Sequence, residues 1–164
     1  MVSTNYATDG TLGVDVTTVD TTEQYTLGTR VTGNNNSVFV YCQAFGAVTG
    51  AGYVVLINED FTQADLIDTT NSASGFGQNV GVAKATLAND EYGWFQIFGT
   101  TDFRGLASAA ANTALNTTAT SGALDDDATV GAEVINGIAF TTAVGGSEGN
   151  AEGVLNFPTV GATL

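Results

Sequence analysis

Apolar and polar residues alternate along this chain with the two-residue period of half-buried strands, beginning at Tyr25. Tyr25, Leu27, Thr29 and Val31 interleave with small or polar neighbours, and Gly33-Asn34-Asn35-Asn36-Ser37 then supplies residues that tolerate positive φ in a turn. Beyond it Val38, Val40, Cys42 and Ala44 share one face while Phe39, Tyr41 and Gln43 share the other, so a hairpin is predicted. Residues 53–57, Tyr-Val-Val-Leu-Ile, are apolar without interruption, as in a strand covered on both faces, and Asn58-Glu59-Asp60 ends them. Residues 64–68 read as a further short strand, and 69–79 as an irregular excursion pinned by Phe76.

An internal echo follows. Gly81-Val82-Ala83-Lys84 leads through a turn to Gly93-Trp94-Phe95-Gln96-Ile97-Phe98, and Gly137-Ile138-Ala139-Phe140 leads through a longer one to Gly153-Val154-Leu155-Asn156-Phe157. Ala44-Phe45-Gly46 to Gly52-Tyr53-Val54 is a fainter third copy. Duplication and convergence of small-residue hairpins both produce such a pattern. Between the copies, the alanine-rich run 103–115 is the only helix candidate, set against short strands separated by Ala/Thr turns. Pro158 is expected to close the last strand and leave residues 158–164 as a tail. Residues 1–24, rich in Thr, Asp and Gly without a sustained period, read as an extended arm that orders against a neighbouring subunit or partner. Its removal is expected to leave the domain folded. The fold class is all-β: one antiparallel β-barrel or compact β-sandwich over residues 25–157.

Composition narrows the chemistry. The chain has 164 residues, 17 acidic and 3 basic, for a net charge of −14, and its 43% hydrophobic content is too high for disorder throughout. With Arg30, Lys84 and Arg104 as its only cations it cannot neutralise a run of phosphates, so neither nucleic acid nor an anionic membrane surface is an expected partner. There is no histidine, which removes imidazole bases and ligands, and the lone Cys42 removes internal disulfides and thiolate metal centres. Cys42 alternates with apolar neighbours and reads as a buried hydrophobe.

The carboxylates Glu59-Asp60 and Asp90-Glu91 sit in turns, and Asp125-Asp126-Asp127 lacks the spacing and closing glutamate of a calcium loop. No serine stands in a nucleophile elbow, and Lys84 is the one lysine available to serve a hydroxyl nucleophile. No enzyme activity, cofactor or metal is therefore expected. Tyr92, Trp94 and Phe98 share one strand face, which makes a sugar-stacking platform if exposed and a core or subunit contact if covered.

Leu27-Gly28-Thr29-Arg30-Val31, Val80-Gly81-Val82-Ala83, Glu91-Tyr92-Gly93-Trp94-Phe95-Gln96-Ile97-Phe98-Gly99, Thr120-Ser121-Gly122-Ala123-Leu124-Asp125 and Gly137-Ile138-Ala139 together resemble the small capsid decoration, or cement, proteins of tailed bacteriophages. The similarity spans roughly residues 25–157. It implies a virion structural protein, made in the host cytoplasm, that binds the outside of the expanded shell and bridges neighbouring capsomers. The partner it implies is the major capsid protein, with self-association on the lattice, trimers included. The arm residues Tyr6, Leu12, Val14 and Val16 and the aromatic face Tyr92, Trp94 and Phe98 are the candidate contacts. The alternative is a carbohydrate-binding or adhesion module, which requires Trp94 or Tyr92 to be exposed in a groove.

Overall fold

The computed structural model describes Tyr6–Ala7 and residues 13–164. Its strands are β1 (Tyr6–Ala7), β2 (Val14–Asp15), β3 (Arg30–Thr32), β4 (Val38–Ala44), β5 (Val54–Ile57), β6 (Gln63–Leu66), β7 (Asn79–Ala83), β8 (Tyr92–Gly105), β9 (Leu115–Thr117), β10 (Leu124–Asp125), β11 (Glu133–Phe140) and β12 (Gly149–Thr163). β1 and β2 pair with each other, and the other ten form one continuous sheet. The all-β expectation holds. What the alternation did not show is that this sheet closes twice.

In the first closure β4 runs parallel to β6, β6 pairs with β5, β5 with β7, β7 with β8, and β8 returns to β4. In the second, β8 runs parallel to β10, β10 pairs with β9, β9 with β11, β11 with β12, and β12 returns to β8. The pairing order is the same, and β8 is the last strand of one barrel and the first of the next. Hydrogen bonds outside the strands repeat as well. Phe45 N–H donates to Ala64 O in the first barrel and Leu106 N–H to Leu124 O in the second; Gly52 N–H donates to Ala83 O and Asn112 N–H to Phe140 O. The two hairpins of the echo, β7–β8 and β11–β12, occupy matching places in these barrels. The third copy does not form a hairpin, because β4 and β5 pair with other strands and not with each other.

Closure pairs most strand edges within the chain and so leaves few backbone groups open to edge-to-edge pairing. Within the ten-stranded sheet, β3 stays open on one side, paired with β4 alone. β8 passes from barrel to barrel at Gly99, whose φ of +98° and approach to Ser37, 2.7 Å from where a Cβ would meet its Oγ, exclude any side chain. Its residues Phe95 and Ile97 point into the first core, with Val40, Cys42, Val55 and Ile57, and Phe103 into the second, with Leu115, Leu124, Phe140 and Leu155. Val54, Val80 and Val82 turn their side chains from the first barrel's wall toward that second core, so the barrels share apolar packing as well as a strand.

Several local expectations are corrected. Residues 103–115 form no helix: Phe103–Gly105 finish β8 against β12, and Ser108 and Asn112 take left-handed φ of 69° and 59° in the loop. Strand pairing and a buried Ala109 override alanine's helix propensity. Pro158 lies inside β12, where the register against β11 slips, so 158–164 is not a tail: Thr159, Val160 and Thr163 pair with β11. A bulge tolerates the ring that a regular ladder would reject. Phe76 is 80% exposed and pins nothing, whereas the buried Ser72 holds its loop by donating to Asp68 O at 2.6 Å.

Cys42 is fully buried and its thiol, donating to Phe61 O at 3.3 Å, is pushed up to about 12 by burial, with Asp60 adding to the effect. An unfolded thiol ionises near pH 8.5, so the stability due to the neutral buried form is complete below that pH and is lost as pH rises toward 12. Urea titrations between about pH 9 and 11 should show a loss of about 1.4 kcal/mol per pH unit that Cys42→Ala removes; an identical slope in the variant would refute this.

Candidate interaction surface

The structure divides the sequence-derived contact residues into a buried group and a surface group. Val14 and Val16, 4% and 1% exposed, pack with Val31, Phe39, Tyr41 and Trp94 in a third core on the outer face of β4 and β8. The chain then returns through Asp20, whose N–H donates to Tyr92 O at 2.9 Å while Tyr92 N–H donates to Asp20 O at 2.8 Å. Residues 13–24 are therefore a cover laid on the first barrel, and the arm expected over 1–24 to order against a neighbouring subunit or partner is corrected for them: they pack on their own chain. The reason is that β4 and β8 carry large aromatics on their outer face, which only added chain can shield from water. Tyr6 stands on β1 opposite Asp15, and Leu12 lies outside the described residues.

Trp94 is 1% exposed. Tyr25 and Tyr41 lie against it with ring centroids at 5.4 and 5.0 Å, and Tyr25 meets Tyr41 edge-on at 5.2 Å. The Tyr41 hydroxyl donates to Asp20 Oδ2 at 2.8 Å and accepts from Gln24 N–H at 3.3 Å, and burial, then the Asp20 bond, raises its pKa above the ordinary phenol range. Half-buried Tyr92 stacks on Tyr41 at 6.2 Å. A sugar cannot reach Trp94 through this layer, so Trp94 is corrected from contact residue to core and the groove required there is not formed.

Phe98 alone of that face reaches the outer surface of the β8–β12 pair. It stands opposite Asn156 and its ring meets that of Phe157 at a tilt, with centroids at 5.0 Å, and Val154 is diagonal to it, opposite Thr100. Phe157 is 45% exposed and Val154 41%, so the three form an apolar strip. Phe157 holds a φ of +47°, a left-handed conformation that costs a non-glycine residue about 1–2 kcal/mol. The bulge that forces it sits opposite Gly137, itself at φ +74°, where a Cβ would meet Asn156 O at 2.6 Å. The strip ends on Asp102 and Glu152, directly opposed across the strands, a like-charge pairing that disfavours the free surface. Sequence reasoning missed Phe157 and Val154; the echo matches them with Ile97 and Trp94, both buried, and so carried no signal of their exposure.

The cations are occupied structurally. Arg104 pairs with Glu148 and lies over the Tyr53 ring at 4.1 Å, and Arg30 lies over Phe61 at 4.7 Å. Lys84 donates to Thr101 Oγ1 at 3.1 Å and Gln96 Oε1 at 3.3 Å, tying β7 to β8, and burial lowers its pKa. Among the described residues no three His, Cys, Asp or Glu side chains converge on a metal-sized site, and no helix is long and apolar enough to cross a membrane. No protein-family model matches the chain, and comparison with curated proteins finds no match.

Proposed function

We propose that this protein is a virion structural protein that binds the outer surface of a tailed-phage capsid and stabilises the expanded shell by bridging neighbouring capsomers. The observation that carries the reading is the apolar strip of Phe98, Val154 and Phe157, held out by a strained bulge on the strand pair that joins two closed barrels. Strain retained in order to expose an aromatic ring points to a contact made by that ring. Closed barrels leave little edge for strand addition, so side-chain burial supplies the affinity, and Asp102 and Glu152 orient the contact by favouring a partner carrying Lys or Arg beside an apolar seat. The partner is the major capsid protein, with copies self-associating around local symmetry axes. Many such contacts stabilise the assembled lattice by mass action, because the ligand binds only that state.

Co-sedimentation with expanded phage capsids, in low and high salt, tests the reading. Saturable, lattice-stoichiometric binding that survives high salt is expected, since the apolar strip is not screened. Phe157→Gly relieves the left-handed strain and deletes the ring; its unfolding free energy should stay within about 1 kcal/mol of the parent while capsid binding falls at least about tenfold. Absence of capsid binding, or undiminished binding by the variant, would overturn the proposal.

A further inference from the structure

The two barrels carry matching clefts. In the first barrel a cleft of about 230 Å³ opens between β5, β6 and the loops beside them, lined among others by Phe45, Leu56, Gln63, Asp65, Asn71 and Gln78. In the second, a cleft of about 440 Å³ includes Leu106, Thr117, Thr118 and Asp125. The pairing order makes them the same place. Asp65 stands opposite Leu56 across β5–β6, and Asp125 opposite Asn116 across β9–β10. Phe45 and Leu106 are each fixed by their N–H donating to the strand that bears the aspartate, at Ala64 O and Leu124 O. Each aspartate also accepts from the next residue's backbone through one oxygen, Asp65 Oδ1 from Leu66 N–H at 2.8 Å and Asp125 Oδ1 from Asp126 N–H at 2.9 Å. That bond orients both carboxyls alike at the edge of their clefts.

We propose that the cleft at Phe45 and Asp65 is a binding site for a neutral glycan, and that the cleft at Leu106 and Asp125 is its weaker duplicate. The lining chemistry selects the ligand. Carboxamides and one carboxyl offer both donors and acceptors, the complement that adjacent sugar hydroxyls require. Phe45 is 58% exposed at the rim, and the negative face of its ring suits the C–H face of a pyranose. No cation lines this cleft, so an anionic ligand has no counter-charge there. Its volume falls below the roughly 300–1,000 Å³ of drug-sized pockets and matches one sugar ring of a longer chain.

The cleft is prepared by bonds that do not involve a ligand. Asn71 donates to Leu66 O at 2.7 Å and accepts from Asp68 N–H at 2.9 Å, and Gln78 donates to Glu59 Oε1 at 2.7 Å, which leaves its carbonyl oxygen free of that bond. Burial raises the pKa of both Asp65 and Asp125 above the usual carboxylate range, so the two sites share an environment as well as a place. In the second cleft threonine hydroxyls replace the carboxamides and Leu106 replaces the stacking ring, hence the lower affinity. These clefts use strands other than the Phe98–Phe157 strip, so the inference does not depend on capsid docking.

The test is an amide NMR titration of the full chain with maltotriose, cellotriose, mannotriose and chitotriose, and separately with calcium, each to about 10 mM, roughly tenfold above a millimolar Kd. At least one sugar should shift amides at 45–46 and 63–66 first, and at 106 and 124–126 at higher concentration. Phe45→Ala should weaken the first response about tenfold and leave the second unchanged, and Asp125→Asn should affect only the second. Both side chains border solvent, and an otherwise unaltered spectrum verifies folding of each variant. The proposal is overturned if no sugar shifts these amides, whether or not calcium does, or if the shifts persist undiminished in Phe45→Ala.

Discussion

Removing residues 1–24 should destabilise the protein by about 3–6 kcal/mol, the cost of withdrawing two buried valines and uncovering the aromatic layer beneath them. Val14 and Val16 lie in the same apolar cluster as Trp94 and Tyr41, and the deletion also removes Asp20, which makes two backbone bonds to Tyr92 and accepts the Tyr41 hydroxyl. A buried phenol left without its acceptor adds a desolvation penalty of about 1–3 kcal/mol unless water reaches it. Urea denaturation of the full and truncated chains measures the difference, and a midpoint unchanged by the deletion would refute the cover. The truncation is consequently a poor test of capsid binding on its own. Phe157→Gly is the better one, because it alters the surface without opening a core.

Phe103→Ala should cost about 3–5 kcal/mol and lower the unfolding of both barrels together. Phe103 is fully buried in the second core and stacks on Phe140 at 4.3 Å. It also lies on β8, whose earlier residues Phe95 and Ile97 belong to the first core, and Val54, Val80 and Val82 of the first barrel pack into the second. A barrel that loses β8 loses its closing strand, so neither has an independent folded state. Fluorescence of Trp94, the sole tryptophan, reports on the first barrel, while far-UV circular dichroism reports on both. Coincident transitions at a lower midpoint are expected; a loss of half the dichroism before any change in fluorescence would show that the barrels unfold separately.

How much of this was legible in the chain depended on the range of the interactions involved. The split of β4 into Val40, Cys42 and Ala44 facing one core and Phe39 and Tyr41 facing another followed from period-two alternation, because alternation is a property of a single strand. The strand at 53–57 was readable from its unbroken apolar run, which is likewise a property of one strand. The echo located two equivalent hairpins, yet it did not reveal that they close successive barrels on one strand. The alanine-rich run left helix and short strands both open, since propensity is a local quantity and the pairing of Phe103–Gly105 with β12 is not.

The contact surface was less accessible still. Tyr92, Trp94 and Phe98 were grouped correctly on one face, but the cover by residues 13–24 buries Trp94 and leaves only Phe98 at the outer strip. Phe157 joins it through a left-handed bulge opposite Gly137, which no pattern of apolar positions reports. Asp65 lay unremarked in a predicted strand and Asp125 in an acidic run, and only the shared pairing scheme of the two barrels makes them equivalent.

By itself, then, the sequence determined the class of fold, the faces of individual strands, the turns, the acidic surface and the absence of imidazole chemistry. All of these depend on residue type and on neighbours within a few positions. Tertiary structure alone decided the double closure, the burial of Trp94, the exposure of Phe157 and the duplication of the clefts. Each of those joins residues tens of positions apart, and their placement is set by which strands share hydrogen bonds, a choice that many registers of similar alternation satisfy equally well until the cores are packed.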